Sequence, residues 1–477
     1  MKTRLLLAAL LCMPLAGARI INVADEGILP GKDITREMNV LIESLKGEAG
    51  VTLFFPKGQY EFYPENAIER YRAVANHDNS LKRIAFPLFG FKNITIDGGG
   101  STFMFHGRIV PFTVEGSDGV TLKNFSIDWA RTFHDELRVV ESEADFIVVE
   151  ADPDRYPQTI RHERLQSQKY DWTDETVANI VWDPQTRAPI FNTREYYTSF
   201  RLHKASRIGP NRFRLDMDFR NSPPPVGSVL ISYGENPTSR LCPAIHLANS
   251  KDICIEDITV LASGGMALIA ERVENVDVES MRVTSAAGRL VSSRADATHF
   301  LGCKGLVRVE NSLFEHMLDD AINVHGAYVK VVEYRGDGQF LCEISHFQQW
   351  GLIFAEPGDE VALTSAETIM PLHRTHVTQT EILNEHRFLI TLADVPEDLP
   401  NAPLSLENLT WYPDVIFRNN VIRENRARGL LITTKGEVLI EDNYISSQMH
   451  GILIEGDNNV WYESGAVEDV TIRNNTF

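Results

Sequence analysis

The chain has 477 residues, of which 43% are hydrophobic, with 46 Lys+Arg against 66 Asp+Glu. A formal charge of −20 repels nucleic acid and anionic membranes and disfavours polyanionic substrates, so a neutral ligand is favoured. The length exceeds what one compact core holds, which predicts a repeat or multi-part architecture.

Residues 1–18 read as an export signal. Lys2 and Arg4 supply positive charge, Leu5 to Leu15 is a short apolar core, and Ala16-Gly17-Ala18 is an A-x-A cleavage site. The apolar run is too short to span a bilayer. A lipid anchor at Cys12 would want a small residue before it, and Leu11 is not small. The expected product is an exported chain, periplasmic, cell-surface or secreted, cut near Ala18. Losing Lys2 and Arg4 leaves 44 Lys+Arg against 66 Asp+Glu, or −22. Of the cysteines, Cys242, Cys254, Cys303 and Cys342 remain. None forms a C-x-x-C pair, so a zinc ribbon is not expected, and buried strand thiols are the plainer reading.

Residues 19–130 read as an N-terminal cap and the first coils of a solenoid. Asp33 to Leu45 carries apolar residues at helical spacing, and a strand and turn follow in Val51 to Tyr60 (VTLFFPKGQY). Then one pattern recurs: an apolar–x–apolar strand followed by a polar or Asn-rich turn. It begins at Ile94, Val120, Ile253, Val276, Val307, Val415, Val438 and Val470. A period of 20–50 residues signals stacked supersecondary units. The strands alternate and are β-branched, while Asn and Gly tolerate the left-handed backbone of sharp corners. Each strand alone cannot bury its apolar face, but stacked coils share one core. The prediction is all-β: a right-handed parallel β-helix, with Gly98-Gly99-Gly100 at a corner rather than around a phosphate.

Two stretches interrupt the repeat. Residues 131–240 carry alternating segments at Glu136 to Glu150, Arg212 to Asp218 and Gly227 to Tyr233. Residues 327–412 carry them at Tyr328 to Tyr334, Gln339 to Ser345, Glu360 to Thr364 and Arg387 to Leu392. Both are expected to be small antiparallel, barrel-like modules inserted on a face of the solenoid. Between them, 241–326 holds the central coils, and 413–477 holds the C-terminal ones. The sequence stops at Phe477 on a fresh repeat with no polar cap on the last coil, so the expectation is either a fragment of a longer protein or an unusual cap.

Chemistry concentrates in 294–326, with Arg294-Ala-Asp-Ala-Thr-His299 and then Leu318-Asp-Asp-Ala-Ile-Asn-Val-His325-Gly326. Asp296 and Asp319 are 23 residues apart, one coil by the repeat spacing, so the spacing puts them side by side about 4.8 Å apart. Asp320 is next in sequence. Like-charge repulsion among three close carboxylates raises at least one pKa, which leaves one acid protonated and another ionised. Glycoside hydrolysis uses such a pair. A calcium site is the rival reading of this oxygen cluster, and an exposed Asp-Asp turn is the plain one. Arg294, His299, Asn323, His325 and Trp350 are candidate sugar-binding residues by proximity. His316 reads as structural, and Trp129 and Trp411 as packing. No G-x-S-x-G, H-E-x-x-H, P-loop or dinucleotide pattern occurs in the right context.

The motifs R-A-D-A-T-H and H-x-L-D-D-A-I-N-V-H-G, with the FPKGQY lid and both interruptions, resemble glycoside hydrolase family 110 over nearly the whole chain. These are bacterial α-1,3-galactosidases acting on blood-group-B-type and linear α-galactosyl glycans. The resemblance implies an inverting hydrolase with no metal or cofactor, and with Asp296, Asp319 and Asp320 as its acids. Similarity to polygalacturonases implies Asp319 as general acid, with Asp296 and Asp320 orienting and deprotonating water. A terminal α-galactose on an oligosaccharide or glycoconjugate is the implied partner. The alternatives are a polygalacturonase-like hydrolase, for which no Arg-Ile-Lys-type strand is found, a polysaccharide lyase, and a noncatalytic glycan-binding β-helix.

Overall fold

A computed structural model describes residues 19–175, 178–190, 201–219, 223–234 and 240–477. The expected export signal lies outside the described residues. No helix among the described residues is long and apolar enough to cross a membrane.

All eight predicted strands lie in one parallel sheet and in register. Ile94 pairs with Val120, Val120 with Ile253, and Ile253 with Val276. The ladder continues from Val276 to Val307, Val415, Val438 and Val470. The insertions therefore leave the stacking unbroken. Left-handed backbone at Asn93, Asn124, Asn275, Asn311, Asn419 and Asn474 makes the corners, as the Asn-rich turns required. Below the corner an asparagine ladder bonds coil to coil, with Asn443 Nδ2 donating to Asn475 Oδ1 at 2.9 Å. Gly99 and Gly100 also take positive φ, and a Cβ at Gly98 would overlap Phe125.

A second parallel stack has short strands that the repeat did not announce: Val110–Glu115, Ile245–Ala248, Leu268–Glu271, Thr298–Leu301, Ile322–Gly336 and Leu430–Thr433. Their alternation sorts two faces. Phe112, Ile245, Leu247, Leu268, Phe300, Val324 and Ile432 point into the core. His246, His299, Asn323, Glu271 and His325 fall on the opposite parity, away from it. This outer face carries the chemistry.

The N-terminal helix, Thr35–Ser44, covers the open end. Asp33 Oδ1 accepts from the Thr35 amide at 2.9 Å, and Met38 and Ile42 are buried against the first coils. A stack of Phe86, Phe103, Phe112 and Phe125 fills the core beneath, with centroids 4.3 to 5.6 Å apart for the stacked pairs.

The first insertion forms a seven-stranded antiparallel sheet around Leu137, Val149, Phe213 and Leu230, with a three-stranded ribbon over 158–175. The second is a closed six-stranded barrel. Its strands include Pro371–Ile382 and Leu404–Asn408, which alternation did not reveal. The circle closes because Gln339–Glu343 pairs with both Arg387–Leu392 and Ile322–Gly336. One strand thus serves two structures: residues 322–325 belong to the solenoid, and 328–336 to the barrel.

Candidate active site

The site is a cavity of about 410 Å³ on the outer face of the second stack. Three successive coils enter it just before their strands. Thr298 pairs with Ile322, and Ile322 with Leu430. The residue two places before each strand is Asp296, Asp320 and Arg428, respectively. This corrects the expected pairing: the coil here is 24 residues long, so Asp320 rather than Asp319 is level with Asp296. The backbone agrees, because Ala297 N donates to Asp320 O at 2.9 Å and Ala321 N to Arg428 O at 3.1 Å. All three carboxylates nonetheless meet, with one oxygen from each lying within 4.8 Å of the others.

Their environments differ. Asp296 Oδ2 lies 2.7 Å from His299 Nδ1, and its Oδ1 accepts from the Asp320 amide at 3.3 Å. Burial, with the nearby Asp319 charge, pushes the Asp296 carboxyl up to about 7. Asp320 accepts from the Arg428 amide and Nε, both at 2.8 Å. Burial and its two Asp neighbours outweigh that arginine and push it up to about 8. Burial also works against Asp319, but Arg426 and Arg240 reverse it and hold Asp319 below the ordinary carboxylate range. Arg426 Nη2 donates to Asp319 Oδ1 at 2.7 Å, and Arg240 Nη2 to Oδ2 at 2.8 Å. The trio therefore titrates as a unit that retains protons near neutrality. Three guanidinium groups already neutralise it, which disfavours a divalent cation among the same oxygens.

The loop from Glu455 to Glu463 forms another wall. Asp457 ties this loop by accepting from the amides of Asn459, Val460 and Trp461 at 2.6 to 2.9 Å. Trp461 is thereby set beside Arg240, whose guanidinium lies 5.4 Å from the indole centroid, and against the His346 ring at 4.1 Å. Asn76, His299, Asn323 and Glu463 also line the cavity.

Among the expected residues, Asp296, His299, Asp319, Asp320 and Asn323 line the cavity. Three others do not. Arg294 is buried, donating to Gly234 O and Phe133 O under the Tyr233 ring. His325 is fully buried behind His299. Trp350 packs against the barrel core, stacked on His386 at 4.9 Å, with its indole donating to Ile344 O. Trp461 rather than Trp350 lines the cavity. His316 is buried between Ser285 and Glu424, and Trp129 is buried in the solenoid. Cys242, Cys303 and Cys342 are buried free thiols.

The sequence reading missed Arg240, Arg426, Arg428, Trp461 and Glu463. Arg426 and Arg428 had a signal: they stand before Leu430–Thr433 as Asp320 stands before its own strand. Arg240 and Trp461 had none, because long connections deliver them.

Residues 136–230 match GLAA-B beta-barrel domain I, 339–401 match GLAA-B beta-barrel domain II, and 372–477 match a right handed beta helix region. The chain is 33% identical to alpha-1,3-galactosidase B of Bacteroides thetaiotaomicron, across 100% of this chain and 78% of that protein. It is 33% identical to alpha-1,3-galactosidase B of Akkermansia muciniphila (96% and 58%), and 31% identical to alpha-1,3-galactosidase A of Shewanella woodyi (97% and 76%). The chain belongs to the bacterial α-1,3-galactosidases, glycoside hydrolase family 110.

Proposed function

We propose that the chain is an exo-acting hydrolase that releases terminal α-1,3-linked galactose from blood-group-B-type or linear α-galactosyl glycans, with inversion. The observation that carries this is the carboxylate trio, in which Asp319 is ionised between two arginines while Asp296 and Asp320 retain protons near neutrality. Proton donor and proton acceptor thus stand in one cavity.

The chemistry needs one proton on the glycosidic oxygen and one removed from water. Oxygens within 4.8 Å of each other can share a single water through two hydrogen bonds of about 2.7 Å. Asp296 and Asp320, level on neighbouring coils, are suited to hold that water. Asp319 becomes the donor when a galactose hydroxyl draws Arg240 or Arg426 away and the adjacent Asp320 hands over its proton. In a two-carboxylate site, so short a separation goes with retention. A third carboxylate removes that constraint, because two can hold water while the third protonates the leaving group.

A neutral sugar is favoured over a uronate. The cavity carries six acids (Asp296, Asp319, Asp320, Glu455, Asp457 and Glu463) against three arginines, each already facing a carboxylate. Among the described residues, the same pairing leaves no uncommitted Lys or Arg side chain in the cavity for a lyase.

The test is hydrolysis of linear and fucosylated galactose-α-1,3-galactose oligosaccharides by the protein and its Asp296→Asn, Asp319→Asn and Asp320→Asn forms. The proposal expects galactose from the parent and at least a hundredfold loss in each variant. Binding without release in a folded parent protein would instead indicate a glycan-binding β-helix.

A further inference from the structure

A chain of buried groups leads away from Asp296. His299 Nδ1 is 2.7 Å from Asp296 Oδ2, and His299 Nε2 is 2.8 Å from His325 Nε2. The other nitrogen of His325, Nδ1, lies 2.6 Å from Gly326 O and must donate to it, since a carbonyl only accepts. His325 Nε2 in turn lies 3.6 Å from Glu463 Oε1. All four side chains are buried.

These contacts allow two arrangements with equal proton counts. In the first, Asp296 is protonated and donates to His299 Nδ1, His299 Nε2–H donates to His325 Nε2, and His325 is neutral. In the second, Asp296 is a carboxylate accepting from His299 Nδ1–H, and His325 is an imidazolium donating from both nitrogens. The Asn76 amide nitrogen, 3.1 Å from His299 Nε2, donates there only in the second arrangement.

We infer that His299 and His325 form a proton relay that takes the proton of the attacking water from Asp296 and stores it on His325, opposite Glu463. Asp296 passes its proton to His299 Nδ1 while His299 passes the Nε2 proton to His325 Nε2. No electrons are exchanged, and His299 ends neutral as it began. This rests on the proposal above, in which Asp296 and Asp320 hold the attacking water, and takes Asp296 as the one of the two that receives its proton. It gives Asp296 a way to be a base although it sits among carboxylates.

Three further observations fit. Burial and then the neighbouring His325 keep His299 well below the ordinary histidine range, so it conducts a proton without holding charge. Burial opposes ionisation of Glu463, but His325, His299 and Arg428 outweigh it, so Glu463 remains the anion that an imidazolium needs. Gly326 also has a reason to be glycine. A Cβ there would overlap Ser464 Oγ, and Gly326 pairs with Ser464 in the two-residue strand that delivers Glu463. The other groups facing the relay are Arg240 and Asp319 beside His299, Arg428 beside Glu463 and Asp296, and Asn323, whose Nδ2 lies 3.5 Å from Glu463 Oε2. His325 and Glu463 are positioning residues in this scheme, acting through Asp296.

The test is ring-nitrogen NMR of histidine-labelled full chain from pH 4.5 to 9, with His325→Gln to assign the signals and Glu463→Gln as the probe. The relay expects His299 to stay neutral and exchange its proton between Nδ1 and Nε2 with pH. It also expects His325 to need a pH lower by about one unit to protonate in Glu463→Gln. In parallel, the acid limb of kcat/KM on galactose-α-1,3-galactose should move to lower pH in both variants, because losing the Glu463 charge or the His325 acceptor weakens proton binding by the unit that must take the proton of water. An unchanged His325 midpoint, a His299 ring fixed in one tautomer, or a uniform fall in kcat/KM with an unmoved acid limb overturns the relay. If the parent releases no galactose while the ring signals behave as stated, the substrate reading fails and the relay stands.

Discussion

Arg240 reaches Asp319 across an insertion: its Nη2 donates to Asp319 Oδ2 at 2.8 Å, and its own amide donates to Asp78 Oδ2 at 3.1 Å. The first inserted module ends at this residue, so its folding and the electrostatics of the carboxylate trio are linked. Removing one partner of a buried ion pair leaves the other charge uncompensated. Arg240→Leu is expected to lower stability by about 3 kcal/mol in urea unfolding. It should also lower kcat/KM at least a hundredfold. A variant of unchanged stability would show that Arg426 alone suffices for Asp319.

The trio also shapes stability against pH. Asp320 and Asp296 have folded pKa values raised above their unfolded ones, so their contribution favours the fold below about pH 4. It is lost as pH rises toward about 8 and about 7 respectively. Asp319 is lowered, so its contribution is present above about pH 4 and is lost only as pH falls further. Asp320→Asn, which keeps the shape and removes the titration, should therefore be more stable than the parent at pH 8 by on the order of a few kcal/mol. The difference should vanish near pH 4. Thermal unfolding at the two pH values measures it, and equal gains at both would point to a cause other than Asp320 ionisation.

Trp461 and Trp350 separate binding from packing. Trp461 lines the cavity beside Arg240, whereas Trp350 belongs to the barrel. Trp461→Ala is expected to raise KM about tenfold, the loss of roughly 1.4 kcal/mol of sugar contact. Trp350→Ala should leave KM near the parent value and lower the melting temperature. The reverse pattern would place the sugar contact at Trp350.

Much of the solenoid was legible because one sheet repeats an apolar–x–apolar strand closed by an Asn corner, as at Val415 to Asn420 and Val438 to Asn443. The second stack was not, since strands such as Ile245–Ala248 and Leu268–Glu271 are only four residues long, and the left-handed residue that follows them varies, Asn249 in one and Arg272 in the other. That gap had a consequence in the site. The spacing of 23 came from the first sheet and paired Asp296 with Asp319, while the second stack advances by 24 from Thr298 to Ile322 and levels Asp296 with Asp320. In the barrel, Pro371–Ile382 escaped notice because its outward positions are mixed rather than strictly alternating. Proximity in sequence gathered His299 and Asn323 correctly onto one face, two residues into their strands. It erred on Arg294, which lies before its strand and turns into the first module, and on Trp350, which is far along the barrel.

Gly326 offers a check on the strand that carries Glu463. A methyl group there meets Ser464 and Tyr412, and overpacking of this kind costs about 1–3 kcal/mol. Gly326→Ala should be destabilised by that amount and recover most of it in Gly326→Ala/Ser464→Gly, read by urea unfolding. Additive losses in the double variant would mean that the Ser464 contact is not the cause.

The most direct test of the account is the anomer of galactose first released from a galactose-α-1,3-galactose-terminated oligosaccharide, followed by proton NMR within the first minutes. Two carboxylates holding one water while Asp319 protonates the leaving group predict β-galactose first, with the α form growing in only by mutarotation, and no release by Asp319→Asn. Early α-galactose would mean a covalent intermediate on one of the three aspartates and would contradict the shared-water mechanism.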